Sequence, residues 1–321
     1  MSTIASGEFW AFVGVVAGIY TLLGLGIQLE FGFAGLLNFG HVAFMAIGAY
    51  TMAIVVVKLG WSMWIGAPLA ILTAAAAGVA VGLPTLRLRA DYFAIVTIAF
   101  SEIVRYVATN EERLTGGTQG TINLAGAGEA SSYNGQWERF QGWLQSTLHL
   151  GSKDVTMLIV VWVAALAGCT ALWAAGRTPW GRVLRGIRED EDAVASLGKN
   201  VFAFRLQALA IGSGLAGLAG CFYAWQFSFF SPNDFAPLLT FFAWMIVILG
   251  GLGRFFAVPV GAVVFGVLFA GTRFFDFAPF SWFDSAERAY LRLMVIGLAI
   301  IGLILFRPQG LLGRREELVL E

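Results

Sequence analysis

Two groups of charged residues are the first candidates for chemistry in this chain. Glu102 and Arg105 are three residues apart in a predicted helix, so their side chains can pair on one helix face. Ionisable groups within an apolar helix usually face a bundle interior or an aqueous path, which makes the pair a candidate for lining such a path. The alternative is a structural ion pair near the end of the helix, where water is close.

Four polar residues on otherwise apolar stretches extend this candidate path. They are Asn38, His41, Thr97 and Ser101. For each one taken separately, a hydrogen bond between two helices is the commoner role. The predicted lining of a translocation path therefore comprises these four residues with Glu102 and Arg105, and hydrogen bonding between helices is the alternative.

The second charged group lies within residues 177–205, where arginines precede a run of acidic residues. Acidic side chains suit the positive end of a short helix, and a glycine after the helix can cap its C-terminus. Val194 and Leu197 are three residues apart, so we predict that they insert together into a partner groove. A solvated loop whose charges only set topology is the alternative. The predicted docking residues are Arg185, Arg188, Glu189, Asp190, Glu191, Asp192, Val194, Leu197 and Gly198.

Several classes of chemistry are excluded by what the sequence lacks. It has no G-x-x-x-x-G-K-[ST] loop for nucleotide phosphates, and its two histidines, His41 and His149, belong to no metal-binding motif. Cys169 and Cys221 stand in apolar runs, where they behave as small hydrophobes. The formal net charge is zero, so nothing indicates nucleic-acid binding. We predict no catalytic residue, no metal and no cofactor in this chain.

The composition requires a lipid environment. Of the 321 residues, 58% are hydrophobic and 12% are charged, whereas about a quarter are charged in a typical soluble domain. A spanning helix needs about 20 mostly apolar residues, and such stretches recur along the chain. We predict an all-α polytopic membrane protein of about 8–10 transmembrane helices. The predicted spans are about 9–27, 41–57, 63–83, 92–108, 155–175, 206–229, 238–250, 255–271 and 290–306.

The stretch 28–40 is apolar but is interrupted by polar residues and glycines. Irregular backbone at membrane depth survives only where protein or a water-filled cavity satisfies its polar groups. We therefore predict a broken or re-entrant element here. No Lys or Arg precedes the first apolar run, so we expect that run to be a retained span and not a signal peptide.

Basic residues indicate the orientation. They concentrate in 177–205 and after the last predicted span, and the positive-inside rule places both regions in the cytoplasm. The longest non-spanning segment, 109–154, is predicted to be extracytoplasmic, which gives an outside N-terminus and an inside C-terminus. The basic residues are Arg177, Arg182, Arg185, Arg188, Lys199 and Arg205, followed by Arg307, Arg314 and Arg315.

One helical stripe runs through the outer segment. Trp137, Phe140, Leu144 and Leu148 fall on a single helix face. The stripe predicts either a helix that lies on the membrane surface or one that packs on neighbouring spans.

These segments together resemble the LivM type of branched-chain amino-acid ABC permease. The resemblance rests on the Arg-Glu-Asp-Glu run that ends in Leu-Gly-Lys-Asn, on the Leu-Thr-Gly-Gly segment with Thr115, Gly116 and Gly117, and on residues 35–44, 48–50 and 247–253. The matches stand in the family's order and cover most of residues 35–313.

The resemblance implies a single transmembrane permease domain over 1–321 in a bacterial cytoplasmic (inner) membrane. The implied partners are a LivH-type permease, two cytoplasmic ATP-binding subunits and an extracytoplasmic binding protein that delivers leucine, isoleucine or valine. Residues 189–197 would contain the coupling helix, and transport would proceed by alternating access without bond chemistry in this subunit.

Three alternatives remain at this stage. The solute could be urea, a short amide or another amino acid. A stand-alone ion-coupled carrier would have only Glu30 and Glu102 as intramembrane charges for a coupling ion. An intramembrane enzyme would lack a nucleophile and base pair.

Overall fold

The protein is described here from a computed structural model. The structure describes residues 7–149, 152–227, 229–271 and 309–313, together with positions 287, 290–291, 294, 297–298, 301–302 and 305–306. For residues 122–134, 148, 270 and 271 it describes the backbone alone. The basic residues Arg307, Arg314 and Arg315 lie outside the described residues.

Every regular element among the described residues is a helix, as predicted. Three short elements of other helical types accompany the α-helices: a π-helical turn at Ile54–Lys58 and 3₁₀ turns at Gly117–Gln119 and Pro232–Phe235. The α-helices are α1 (Gly7–Glu30), α2 (Val42–Ala53), α3 (Met63–Thr85), α4 (Ala90–Asn110), α5 (Glu112–Thr115), α6 (Thr121–Leu148), α7 (Lys153–Arg177), α8 (Pro179–Glu189), α9 (Glu191–Ser196), α10 (Val201–Phe227), α11 (Leu238–Gly250) and α12 (Ala257–Gly271).

Five of these helices are long and apolar enough to cross a membrane, namely α1, α3, α4, α7 and α10. Shorter apolar helices are α2 with its π-helical continuation, α11 and α12. These eight elements coincide with the first eight predicted spans within a few residues at most ends. The ninth, 290–306, lies partly outside the described residues, and its described positions are helical. The all-α polytopic class is therefore confirmed.

Glycines let the central helices approach closely. α10 packs against α2 and α3 along a glycine-rich face. A methyl group at Gly220 would overlap the carbonyl of Met45, and one at Gly48 would overlap the backbone of Gly217. Small residues at such crossings are the usual means by which membrane helices gain contact area. The glycine pairs of α10 thus serve packing.

The segments 109–154 and 177–205 lie at opposite ends of the bundle. α7 connects them, and its 25 residues correspond to about 37 Å of helix. At one end, the side chain of Gln141 donates to the Lys153 carbonyl over 3.3 Å. At the other, Arg188 donates to the carbonyl of Gly32 at the end of α1. This separation agrees with opposite sides of a membrane.

The apolar stripe of α6 packs on neighbouring helices. Trp137 is buried and stacks on Trp225 with ring centroids 4.7 Å apart. Phe140 meets Trp64 edge to face at 5.0 Å. Of the two readings of this stripe, packing against the spans is the one that the geometry supports. The side chain of Leu148 lies outside the described residues.

Candidate functional site

The helical path of the chain breaks between α1 and α2. α1 continues through Glu30, a turn follows to Ala34, and Gly35 has a φ of +70°, a left-handed conformation that glycine adopts without strain. The chain is then mostly irregular up to the start of α2. The predicted broken element is thus present, although it begins at residue 31 because Gln28 to Glu30 remain helical. We call residues 31–41 the break.

A buried polar network holds the break. Asn38 Nδ2 donates to Glu30 Oε2 over 2.9 Å, and His41 Nδ1 lies 3.3 Å from the same oxygen. All three side chains are buried. A carboxylate in the last turn of a helix opposes the helix dipole, so Glu30 needs these neighbours to remain there. Trp244 Nε1 also donates to the Asn38 carbonyl over 3.0 Å, which attaches α11 to the network.

The network is closely covered. A methyl group at Gly212 would overlap Glu30 Oε1, and one at Gly26 would overlap His41 Nε2. These two polar atoms have no hydrogen-bond partner among the described residues. Asn38 and His41 are therefore buried in this conformation, where their polar contacts connect the break to α1, and their place in a translocation path stays a prediction.

Thr97 and Ser101 of α4 are buried on the side facing the break. Thr97 Oγ1 accepts a hydrogen bond from the backbone N–H of Phe39 over 3.1 Å. Ser101 Oγ donates to the carbonyl of Ile98, within α4 itself. Thr97 therefore binds the break directly, whereas the hydroxyl of Ser101 bonds its own helix.

Glu102 and Arg105 form the predicted pair. Arg105 Nη2 lies 2.6 Å from Glu102 Oε2, and Arg105 Nη1 donates to Asn233 Oδ1 over 3.2 Å. The side chains are 21% (Arg105) and 31% (Glu102) exposed. The pair thus joins α4 to the turn before α11 and remains partly open to its surroundings.

The outer motif Thr115, Gly116 and Gly117 builds a tight turn. Gly116 and Gly117 have φ values of +81° and +64°, which disfavour any residue with a Cβ. Thr115 Oγ1 donates to the Ala108 carbonyl over 2.6 Å and so closes the turn onto α4. The motif positions α6 relative to α4, a role that the sequence pattern did not reveal.

The segment after α7 forms two short helices, α8 and α9. Asp190 caps α9, because its Oδ1 accepts the backbone N–H groups of Asp192 and Ala193, each over 3.0 Å. Gly198 has a φ of +75° and its N–H bonds the Ala195 carbonyl. The predicted short helix with acidic residues at its start and a glycine cap is therefore present.

The prediction that Val194 and Leu197 insert together into a partner groove does not fit the structure, because Val194 is buried within the chain. Val194 is 9% exposed and its side chain packs against Gly186 of α8, whereas Leu197 is 78% exposed. α9 ends at Ser196, and it folds back on α8 through Val194. Leu197 alone of the two faces outward.

The charged residues of this segment divide between two faces. Arg185 Nη2 donates to the Gly176 carbonyl over 3.1 Å, and Arg188 Nη1 donates to the Gly32 carbonyl over 2.6 Å. Glu191 forms an ion pair with Arg205 at the start of α10. Arg185, Arg188 and Glu191 thus each bond another residue of this chain. Arg185 and Glu191 are nevertheless exposed, as are Glu189, Asp192 and Leu197. Because the last three belong to the predicted docking residues, we call them the docking face.

A bundle of long apolar helices with a buried polar break between its first two members belongs to the class of polytopic helical membrane proteins. The sequence model of the family described as "Branched-chain amino acid transport system / permease component" matches residues 10–304. The chain belongs to this family.

Relatives agree with this assignment and with the LivM resemblance. The chain is 35% identical to the high-affinity branched-chain amino acid transport system permease protein LivM of Salmonella typhimurium, over 94% of this chain and 69% of that protein. It is 25% identical to a probable LivM of Methanocaldococcus jannaschii, over 93% and 91%. The permease protein LivH of Salmonella typhimurium is 25% identical over 95% of both chains. No solved structure matches the chain significantly.

Proposed function

We propose that this chain is the membrane-spanning permease subunit of an ABC importer for leucine, isoleucine and valine. The observation that carries the proposal is the docking face at one end of the bundle, on short helices whose other face bonds the break. Such an arrangement suits a subunit that receives movement from a partner. The relatives, which are named as permease proteins of branched-chain amino acid transport systems, support the choice of substrate.

The proposed mechanism is alternating access. The sequence has no phosphate-binding loop, so ATP hydrolysis belongs to separate cytoplasmic subunits. This subunit moves between inward-open and outward-open states, and each partner biases that equilibrium through contacts that differ between the states. It needs no cofactor or metal for this role. Among the predicted path residues, Glu102 and Arg105 have the most exposed side chains.

We assign the proposed partners to the two ends of the bundle. Two ATP-binding subunits would contact the docking face in the cytoplasm, and a substrate-binding protein would approach segment 109–154 outside the inner membrane. Similarity to LivH over nearly the whole chain supports a second permease of the same fold as the lateral partner. Two such chains would enclose the path between them.

Reconstitution tests the proposal. The chain, its permease partner, the ATP-binding subunits and the binding protein are placed in liposomes, and uptake of radiolabelled leucine is followed with ATP or with a non-hydrolysable analogue. We expect uptake with ATP alone and competition by isoleucine and valine. Uptake that persists without ATPases would favour an ion-coupled carrier. Competition by urea or acetamide but not by valine would assign another solute.

A further inference from the structure

We propose that Arg188 is a positioning residue that fastens α8 to the break, so that α8 and the break move as one body. This proposal rests on the proposed function, because it assigns the route by which movement at the docking face reaches the spans. Arg188 was predicted to contact the ATPase. Its side chain instead points into its own chain.

The contact between α8 and the break is close and polar. Arg188 Nη1 donates to the Gly32 carbonyl over 2.6 Å. This carbonyl lies just beyond the C-terminus of α1, where carbonyl groups lack helical partners and the dipole favours a cation. The backbone of Gly35 also approaches Arg188, since a Cβ at Gly35 would lie 3.5 Å from Arg188 Cα. The guanidinium of Arg185 lies 5.8 Å from the ring centroid of Phe33.

The far side of the break is fastened to two other helices. The Phe39 N–H donates to Thr97 of α4 over 3.1 Å. The N–H of Val42, the residue directly after the break, donates to Thr240 of α11 over 3.0 Å. Trp244 of α11 adds its bond to Asn38. Directional hydrogen bonds fix relative position more strictly than apolar packing does. A displacement of the break therefore displaces the facing parts of α4 and α11.

The near side of α8 is fastened to the docking face. Val194 packs against Gly186, and the Asp190 N–H bonds the Gly186 carbonyl over 2.9 Å. A partner that moves Leu197 therefore moves α9 and α8 together. Arg188 hydrogen-bonds this pair of helices to the break, and Arg185 lies beside it over the ring of Phe33.

Substitutions at Arg188 test the proposal in the reconstituted importer. Arg188→Gln removes the charged donor, Arg188→Lys retains a cation, and Arg182→Gln removes an exposed arginine from the same helix as the control. We expect Arg188→Gln to retain the ATPases and hydrolyse ATP while leucine moved per ATP falls about tenfold or more. Arg188→Lys should recover part of this ratio, and Arg182→Gln should leave it unchanged.

A disulfide provides a second test that compares one protein with itself. A Cβ at Gly35 would lie 3.7 Å from that of Arg188, within the about 3.5–4.5 Å that a disulfide requires. Gly35→Cys with Arg188→Cys is prepared with Cys169 and Cys221 replaced by alanine. If α8 and the break move together, oxidation should raise the leucine-to-ATP ratio, and reduction should lower it again. Gly35→Ser with Arg188→Cys carries the same backbone strain and cannot form the bond.

Three results would overturn the proposal. The first is a parallel loss of ATPase binding and uptake in Arg188→Gln, which would make Arg188 a docking residue. The second is an unchanged leucine-to-ATP ratio in that variant. The third is inactivation by the disulfide, which would mean that α8 and the break move relative to each other. Failure of the proposed function would give a different result, because the unaltered protein itself would then take up no leucine with ATP. ATPase co-purification is independent of the solute and still separates docking from positioning in that case.

Discussion

The substitution Leu197→Asp tests the docking face most directly. Leu197 follows the last residue of α9 and is 78% exposed, although it is large and apolar. Because the side chain is mostly free of its own chain, the folded permease should tolerate the change within about 0.5 kcal/mol. The proposed ATPase partner should not tolerate it, because it would lose an apolar contact and face a carboxylate.

The expected loss of affinity can be derived from the exposed fraction. Full burial of a leucine side chain is worth about 1.5–3 kcal/mol. A partner that covers the 78% now exposed would gain about 1.2–2.3 kcal/mol from this residue. The corresponding loss weakens ATPase binding by about 7- to 45-fold. Desolvation of the introduced carboxylate adds to this figure, which is therefore a lower bound.

Two measurements check this expectation. The dissociation constant of the ATPases is measured on the detergent-solubilised permease pair, and ATP-dependent leucine uptake is measured in liposomes. Leu197→Met retains an apolar side chain of similar volume and is the matched control. Val194→Asp is the contrasting variant, because it places a carboxylate against Gly186 and should lower the yield of folded permease.

Two outcomes would contradict the assignment of Leu197 to the docking face. If Leu197→Asp binds the ATPases with unchanged affinity and supports normal uptake, Leu197 is not part of a docking face. The segment would then be a solvated loop whose charges set topology. A fall in permease yield equal to that of Val194→Asp would instead contradict the exposed position of Leu197.

Three further predictions concern topology, the α4 ion pair and the buried network. Single cysteines are placed at Ser146 and Ser196 in a protein without its native cysteines. On intact cells an impermeant maleimide should label position 146 and not position 196, and labelling at 196 alone would mean that the proposed orientation is inverted. A double-mutant cycle of Glu102→Gln and Arg105→Gln should give a coupling of about 0.5–1 kcal/mol, because the pair is partly exposed, and additive losses would mean no interaction. Asn38→Ala removes a donor from a buried carboxylate and should cost about 1.5–3 kcal/mol, seen as a lower unfolding temperature of the solubilised protein; an unchanged temperature would contradict its role.

The spans and helix ends were largely predictable because they depend on local composition. Length and hydropathy locate the long helices, and capping residues such as Asp190 and Gly198 mark the ends of α9 through bonds within a few residues. The Glu102 and Arg105 pair was predictable for the same reason, since both residues stand on one helix. The caps and the ion pair depend on residues four or fewer positions apart, and the spans depend on continuous windows of about 20 residues.

The remaining features depend on contacts between distant segments. The spacing of Val194 and Leu197 suggested a shared face, but α9 packs back on α8 and separates them. Glu30 was considered from the sequence as a charge that an ion-coupled carrier could use, whereas the structure surrounds it with Asn38 and His41. A polar residue close to the end of an apolar span was the available signal. The partner of Arg188 could not be inferred, because a backbone carbonyl leaves no trace in the sequence.

The arginines of α8 illustrate why charge counts and geometry must be read together. The positive-inside rule weighs Arg182 and Arg188 equally, since each adds one charge to the same loop. The structure separates them, because Arg182 is exposed whereas Arg188 bonds the end of α1. Arg188→Gln leaves five of the six basic residues of segment 177–205 in place, so the orientation should persist. A loss of coupling in that variant therefore reports on the bond to Gly32 and not on an inverted protein, and the equal charge change in Arg182→Gln makes the comparison direct.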